Sequence, residues 1–411
     1  MIGQKQMDPA PKVGQISPGV GGLIVAGLAL AAFISRRPDQ WFAPKFWAED
    51  GSVFFSDAAA LGWAALLRPY AGYLHAVPRI IAALTGSLPW EYQPAAYVLA
   101  AGAVAAWVVG RMSCARLPLS ERIMAAIALF ALPQSGEVFL NVTNLQWILD
   151  VLLVVNLMEA GPEKTGETWR RTLELMLAGF SGPLVIILAP FAAVWSWRWR
   201  RTRRAWPLTA AWTVAVLVQV CCLRVSGRPV GGSLHEVLSS FHWIVPRYGA
   251  TLFVGDWFPY TVGMGWLAAT GALLATFVLF ADRSNRHRRR SLWLLVLGAA
   301  ALWAGRAANP YWPNPTGGGA RYAYVPLVLL LWAFASLAVG TERRAHRALA
   351  GLLYGTIIWS AVPRWIAVPL PPDNWTQQVR EAQAGTRARF EVAPSLSFPV
   401  PPLPSRRGPG S

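Results

Sequence analysis

The residues able to do chemistry fall in four short stretches separated by long apolar runs. The first, "FWAEDGSVFF", sets Glu49 and Asp50 side by side. Carboxylates are costly to bury beside a bilayer, so such a pair faces water, a cation or a substrate. Asp50 also stands where it would cap a helix, because "GSVFFSDAAALGWAALL" behind it has helical apolar spacing. The second stretch, "RPYAGYLHAVPR", carries Tyr70, Tyr73, His75 and Arg79 on a segment broken by Pro and Gly. Arg79 and His75 suit a phosphate head group at a membrane surface, while the tyrosines also suit an interfacial aromatic belt. The third, "GEVFLNVTNLQW", holds Glu137, Asn141, Asn144 and Gln146. These side chains would bind a polyol or cap helix ends. In the fourth, "GGGARYAYVP", flexible glycines (Gly317 to Gly319) lead into Arg321 and Tyr322. That order suits a mobile clamp on a lipid phosphate, or an arginine reaching to the interface.

Around these stretches the chain is apolar. Of its 411 residues 55% are hydrophobic and only 14% charged, where a soluble protein carries about a quarter. That composition defines an integral membrane protein with many spans. The net charge of +17 sits mainly on arginine, in short clusters between apolar runs: Arg198, Arg200, Arg201, Arg203 and Arg204, then Arg283, Arg286, Arg288, Arg289 and Arg290. Such clusters set membrane topology and argue against nucleic acid as a partner. Cys114, Cys221 and Cys222 form neither a disulfide framework nor a metal-ligand spacing. The loop with His235, Glu236, His242, Arg247 and Asp256 lacks tight metal spacing and reads as a solvated amphipathic helix. Walker, dinucleotide, Gly-x-Ser-x-Gly and zinc motifs are absent. No cofactor follows from the residues; a divalent cation at the acids stays open.

Eleven apolar segments are expected to be helical spans. They are Pro18 to Ser35, Pro94 to Val109, Ile123 to Pro133, Trp147 to Met158, two halves of Leu173 to Trp197, Pro207 to Leu223, Tyr260 to Ala281, Leu292 to Ala304, Tyr322 to Val339 and Ala348 to Val362. The break in Leu173 to Trp197 is placed at Ser181 to Pro183, because a single span would put the five-arginine cluster on the wrong side. Residues 1–363 then form the membrane domain, with 36–93 as a first outer loop. Residues 364–411 form a short outer tail with one short helix and a disordered end. Arg36 and Arg37 follow the first span on the outer side, against the charge rule.

This organisation resembles the GT-C superfamily of membrane glycosyltransferases, which use sugars carried on polyprenyl phosphate. The resemblance is carried by the acidic pair in "AEDG", the short paired segments of "LELMLAGFSGPLVIILAPF" and the late "RY" opening a span. The chain departs in lacking a large soluble C-terminal domain, which points to a small bacterial-type enzyme. The resemblance implies an all-α fold with amphipathic loop helices on the outer face. It implies inverting transfer of a sugar from a polyprenyl-phosphate donor to a hydroxyl of a glycan or lipid-linked acceptor. The site would face the periplasmic side of a bacterial inner membrane. Asp50, or else Glu49, would be the general base. Arg321 with Tyr322, Arg79 and His75 would hold the donor phosphate. Tyr70, Tyr73, Glu137, Asn141, Asn144 and Gln146 would orient the acceptor and sugar. Two other readings compete: a lipid or solute transporter of the flippase kind, and a non-catalytic subunit of a polysaccharide export assembly. A transporter is expected to show inverted repeats and charges at mid-bilayer, whereas the polar stretches here lie at one face.

Overall fold

The computed structural model describes residues 18–227, 240–256, 261–308, 316, 319–392 and 396–402. His235, Glu236, Gly317, Gly318 and the end of the tail lie outside the described residues. The chain is mostly helical because an apolar environment leaves backbone N–H and C=O groups no partner but each other. The helices are α1 (Pro18–Arg36), α2 (Ala76–Thr85), α3 (Gln93–Ser113), α4 (Leu119–Ala128), α5 (Leu145–Met158), α6 (Thr165–Gly179) and α7 (Leu184–Trp199). They continue with α8 (Trp206–Val225), α9 (Phe241–Phe253), α10 (Val262–Ala281), α11 (Arg288–Ala308), α12 (Ala320–Gly340), α13 (Arg344–Ser360) and α14 (Trp375–Gln383). One hairpin pairs β1 (Arg389–Val392) antiparallel to β2 (Leu396–Pro399). Among the described residues four helices are long and apolar enough to cross a membrane: Trp90–Ser113, Arg203–Val225, Val262–Ala281 and Ala320–Gly340. Each expected span overlaps a helix.

The central helix is α12, which packs on α4, α5, α11 and α13 and is buried along most of its length. Its Trp332 is fully buried, and the indole N–H donates to Glu121 Oε1 at 3.0 Å. By contrast α10 exposes Leu267, Leu273, Leu274 and Phe277, an apolar face suited to lipid.

The expected break in the sixth and seventh helices is present. Between Gly179 and Leu184 the chain turns, and the groups freed there are satisfied by other elements. Phe180 C=O accepts from Ala76 N–H at 3.0 Å, Ser181 Oγ accepts from Val77 N–H at 3.0 Å, and Gly179 C=O accepts from Gln219 at 2.9 Å. The turn therefore fastens α2 and α8 to the bundle at the end that carries the first loop.

The opposite end is an ionic lattice. Arg111 bridges Glu159 (2.7 Å) and Glu174 (2.8 Å), Arg290 meets Glu121 at 2.7 Å, and His346 meets Asp282 at 3.0 Å. These pairs join the ends of α3 to α5 and α6, of α4 to α11, and of α10 to α13. The arginine clusters lie at this end, away from Glu49 and Arg321.

The short helix expected in the tail is present as α14; what the sequence did not suggest is the hairpin and the packing of both, up to residue 402, on the first loop. Helix α14 and the hairpin are folded onto the first loop through an aromatic cluster. Trp375 packs at 4.9 Å on Phe46, 5.5 Å on Phe55 and 4.7 Å on Phe390, and its N–H donates to Trp90 C=O at 2.7 Å. The aromatic content of "NWTQQV" and "RARFEVAPSLSF" supplies the buried area that its polar composition concealed. Trp375→Ala should cost about 3–5 kcal/mol of local stability. Limited proteolysis should then cut within residues 364–402 well before the helical bundle, where the wild type resists.

Candidate functional site

The site is assembled where the first loop meets the connection between α4 and α5. Asp50 begins a π-helical turn, Asp50–Phe55, and its carboxylate reaches across to the other connection. Oδ1 accepts from Thr143 N–H at 2.7 Å and from Thr143 Oγ at 2.6 Å, and Oδ2 accepts from Val142 N–H at 3.2 Å. Asp50 is 2% exposed. It therefore neither faces water nor caps a helix, as its sequence position suggested; it staples two connections together. Hydrogen bonds to a charged group contribute about 1.5–3 kcal/mol each, so the staple is strong. Burial nevertheless pushes the carboxyl up to about 7. The backbone is strained on both sides of the junction, with Ala48 at φ +28° and Leu140 at φ +55°. Gly136, at φ +82°, precedes Glu137 and packs so tightly that a Cβ there would lie 2.3 Å from Ala367.

Beside the staple stand groups that are buried or only partly exposed. The Arg321 guanidinium pairs with Glu137, whose other oxygen accepts the Arg321 main-chain N–H at 3.2 Å. The Arg321 side chain stays 33% exposed, and Nε and Nη2 have no hydrogen-bond partner among the described residues. Glu49 is half-buried, and its charge acts on both Arg321 and Asp50. The Tyr322 ring packs on Trp147 at 5.1 Å. Gln146 Nε2 donates to the Tyr73 hydroxyl at 3.4 Å. Glu137 and Arg321 are thus joined directly, with Glu49 acting on Arg321 through its charge, while Gln146 and Tyr73 form a second pair.

Several expected site residues serve the scaffold instead. Arg79 is buried, meets Asp57 at 3.1 Å and lies over the Phe54 ring at 5.5 Å. His75 is buried against Tyr73, with ring centres 4.3 Å apart. Burial, and then the neighbouring Arg79 charge, push its imidazole down to about 3, so it is neutral and brings no positive charge to a phosphate. Tyr70 bridges Tyr73 through the backbone and sets its ring 6.3 Å from Phe54. Asn141 donates to Glu137 C=O (2.8 Å) and Phe139 C=O (3.2 Å), and Asn144 donates to Glu137 C=O at 2.8 Å. Both asparagines hold the connection in shape. Asn144 stands at the N-cap position of α5, but its side chain makes no capping hydrogen bond; it bonds the loop carbonyl instead.

Two features escaped the sequence reading. Arg36 and Arg37 are buried, and they grip the connection that carries Glu137. Arg36 donates to Leu132 C=O (3.0 Å) and Gln134 C=O (2.8 Å), and Arg37 to Gly136 C=O (3.3 Å). The arginines that broke the charge rule are structural ligands of a loop, not topology signals. The second is Asp150, one turn beyond Gln146 in α5 and 1% exposed. Its signal was available: a lone acid inside the apolar run "ILDVLL".

No protein-family model matches the chain, and no curated protein matches it. Among the described residues no group of three or more His, Cys, Asp or Glu is placed to hold a metal ion.

The folded state keeps the Asp50 proton up to about pH 7, whereas an unfolded chain releases it near 3.9. Protonation therefore adds stability that is fully present below about pH 4 and is lost as pH rises through about 7. The unfolding temperature of the wild type in detergent should fall across that window. Asp50→Asn should unfold at lower temperature throughout and lack this part of the slope. Parallel curves for the two proteins would contradict the burial of Asp50.

Proposed function

We propose that this chain is an integral membrane glycosyltransferase of the GT-C kind. In this reading about eleven helices cross a bacterial inner membrane, and a polyprenyl-phosphate-linked sugar is the donor. The observation that carries the reading is that the half-buried Glu49 of the first loop acts through its charge on the part-exposed guanidinium of Arg321 from α12, which Glu137 holds. Glu137 orients that guanidinium and leaves Nε and Nη2 for a phosphate. The basic end of the bundle faces the cytoplasm by the charge rule, so the site faces the opposite, extracytoplasmic side.

The residues divide the chemistry as follows. The acceptor oxygen attacks the anomeric carbon, and its proton passes to the Glu49 carboxylate. The bond from that carbon to the phosphate oxygen breaks, and its electron pair stays on the departing polyprenyl phosphate. Arg321 meets the charge that develops there. Attack opposite the leaving group inverts the anomeric centre. Tyr73, Gln146, Tyr322 and Trp147 line the region where the sugar and acceptor would lie. Asp50 moves from base to positioning residue, because Val142 and Thr143 occupy its oxygens and it is buried.

A second reading, a solute or lipid transporter, is favoured by one observation: Asp150 is a buried acid inside a helix of the bundle. Purified protein in detergent separates the two, since a transporter cannot consume a polyprenyl-phosphate sugar there. Glu49→Gln should lower transfer by roughly 10²–10⁴-fold with donor affinity kept. Arg321→Ala should weaken donor binding about tenfold or more, equal to about 1.4 kcal/mol or more. Transfer at wild-type rate by Glu49→Gln would remove the base from that residue. Absence of any turnover, across donors, by wild-type protein would favour the transporter.

A further inference from the structure

Asp150 has no role in the transfer chemistry above, yet its setting is unusual. Neither of its oxygens meets a hydrogen-bond donor among the described residues, and Gln146 Oε1 likewise meets none. Both Asp150 Oδ1 and Gln146 Oε1 face the turn between α6 and α7, lying 3.5 and 3.3 Å from where a Gly182 Cβ would stand. The helices packed on α5 are α2, α3, α6, α7 and α12, and their cations are engaged elsewhere. Arg79 of α2 pairs with Asp57, and Arg111 of α3 with Glu159 and Glu174. Arg171 of α6 holds Asn156, Arg198 of α7 lies over Trp199 at the basic end, and Arg321 of α12 pairs with Glu137. Of the remaining titratable groups, Glu174 pairs with Arg111 and Arg170, Glu167 with Arg116 and Arg171, His75 stacks on Tyr73, Tyr322 packs on Trp147 and Tyr324 donates to Leu129 C=O, while the buried Tyr97 hydroxyl of α3 has no hydrogen-bond partner among the described residues.

An ionised carboxylate in that position has neither counter-charge nor donor, a cost of several kcal/mol. A small positive ligand removes the cost. The smallest such ligand is a proton, which needs no space of its own. We propose that Asp150 is a proton-binding site. It holds a carboxylic O–H directed toward Gln146 Oε1, and the hydrogen bond from Gln146 to Tyr73 links it to the candidate site. One proton then supplies a donor for an acceptor that has none and removes the stranded charge. A transferase would use such a group as a proton store, a transporter as its coupling site. The proposal stands under either reading.

The test uses the full chain in lipid nanodiscs and dicyclohexylcarbodiimide, an apolar reagent that modifies protonated carboxyl groups. Peptide mass spectrometry near neutral pH should find the adduct on Asp150 of the wild type. The adduct should be lost in Asp150→Asn, which should keep the wild-type unfolding temperature because the amide imitates a neutral acid. Infrared difference spectra, wild type minus variant, should show a protonated-carboxyl band, the contribution of Asp50 being common to both proteins. Three results would overturn the proposal: neither adduct nor band, an adduct confined to other carboxyls with no Asp150 band, or protection of Asp150 by sodium, which would mark a metal cation instead.

Discussion

The carboxylate of Asp50 on the main chain of Val142 and Thr143 is the constraint on which the rest of the candidate site depends. It joins two connections more than ninety residues apart in sequence. Through it Glu49, the preceding residue, is held near the segment that carries Glu137. Glu137 in turn holds Arg321 at the start of α12. The chain of contacts is short, polar and largely shielded from water, so each contact is strong and each is costly to leave half made. The strain at Ala48 and Leu140 on either side of it fits a junction whose geometry is imposed by its surroundings.

Around the junction the protein builds a frame from residues that resemble site residues. Arg36, Arg37, Arg79, Asn141 and Asn144 all point polar groups at backbone carbonyls or at a single acid. In an apolar setting irregular backbone is tolerated only where something satisfies it, and these side chains do so. The aromatic cluster of Trp375, Phe390, Phe46 and Phe55 closes the frame from outside by bringing the tail onto the first loop. The ionic lattice at the far end ties the helices together where the arginine clusters lie. The two ends therefore differ in kind: one is a satisfied network of opposite charges, the other leaves Arg321 and Glu49 partly open.

Much of the helical order was legible, because long apolar runs and arginine clusters act through composition alone. The break at Ser181 to Pro183 was also legible, since charge parity demanded it and Gly-Pro permits it. The approach of Glu137 to Arg321 was legible only in that both of their stretches were placed at one face. Which members act and which support was not. Asp50 and Glu49 are adjacent and chemically alike, and only the approach of Thr143 separates them. His75 and Arg79 read as a phosphate site because nothing local reveals that Asp57 and the rings of Phe54 and Tyr73 enclose them. The folded tail was hidden because its aromatic residues are few and find partners in a distant loop.

A cryo-electron microscopy map of the protein with a short-chain polyprenyl phosphate bears most directly on whether these distant pieces form one site. Phosphate density on the Arg321 guanidinium, within reach of Glu49 and with the Asp50 staple intact, is the expected result. Density at the arginine-rich end, or elsewhere with Arg321 unengaged, would contradict it.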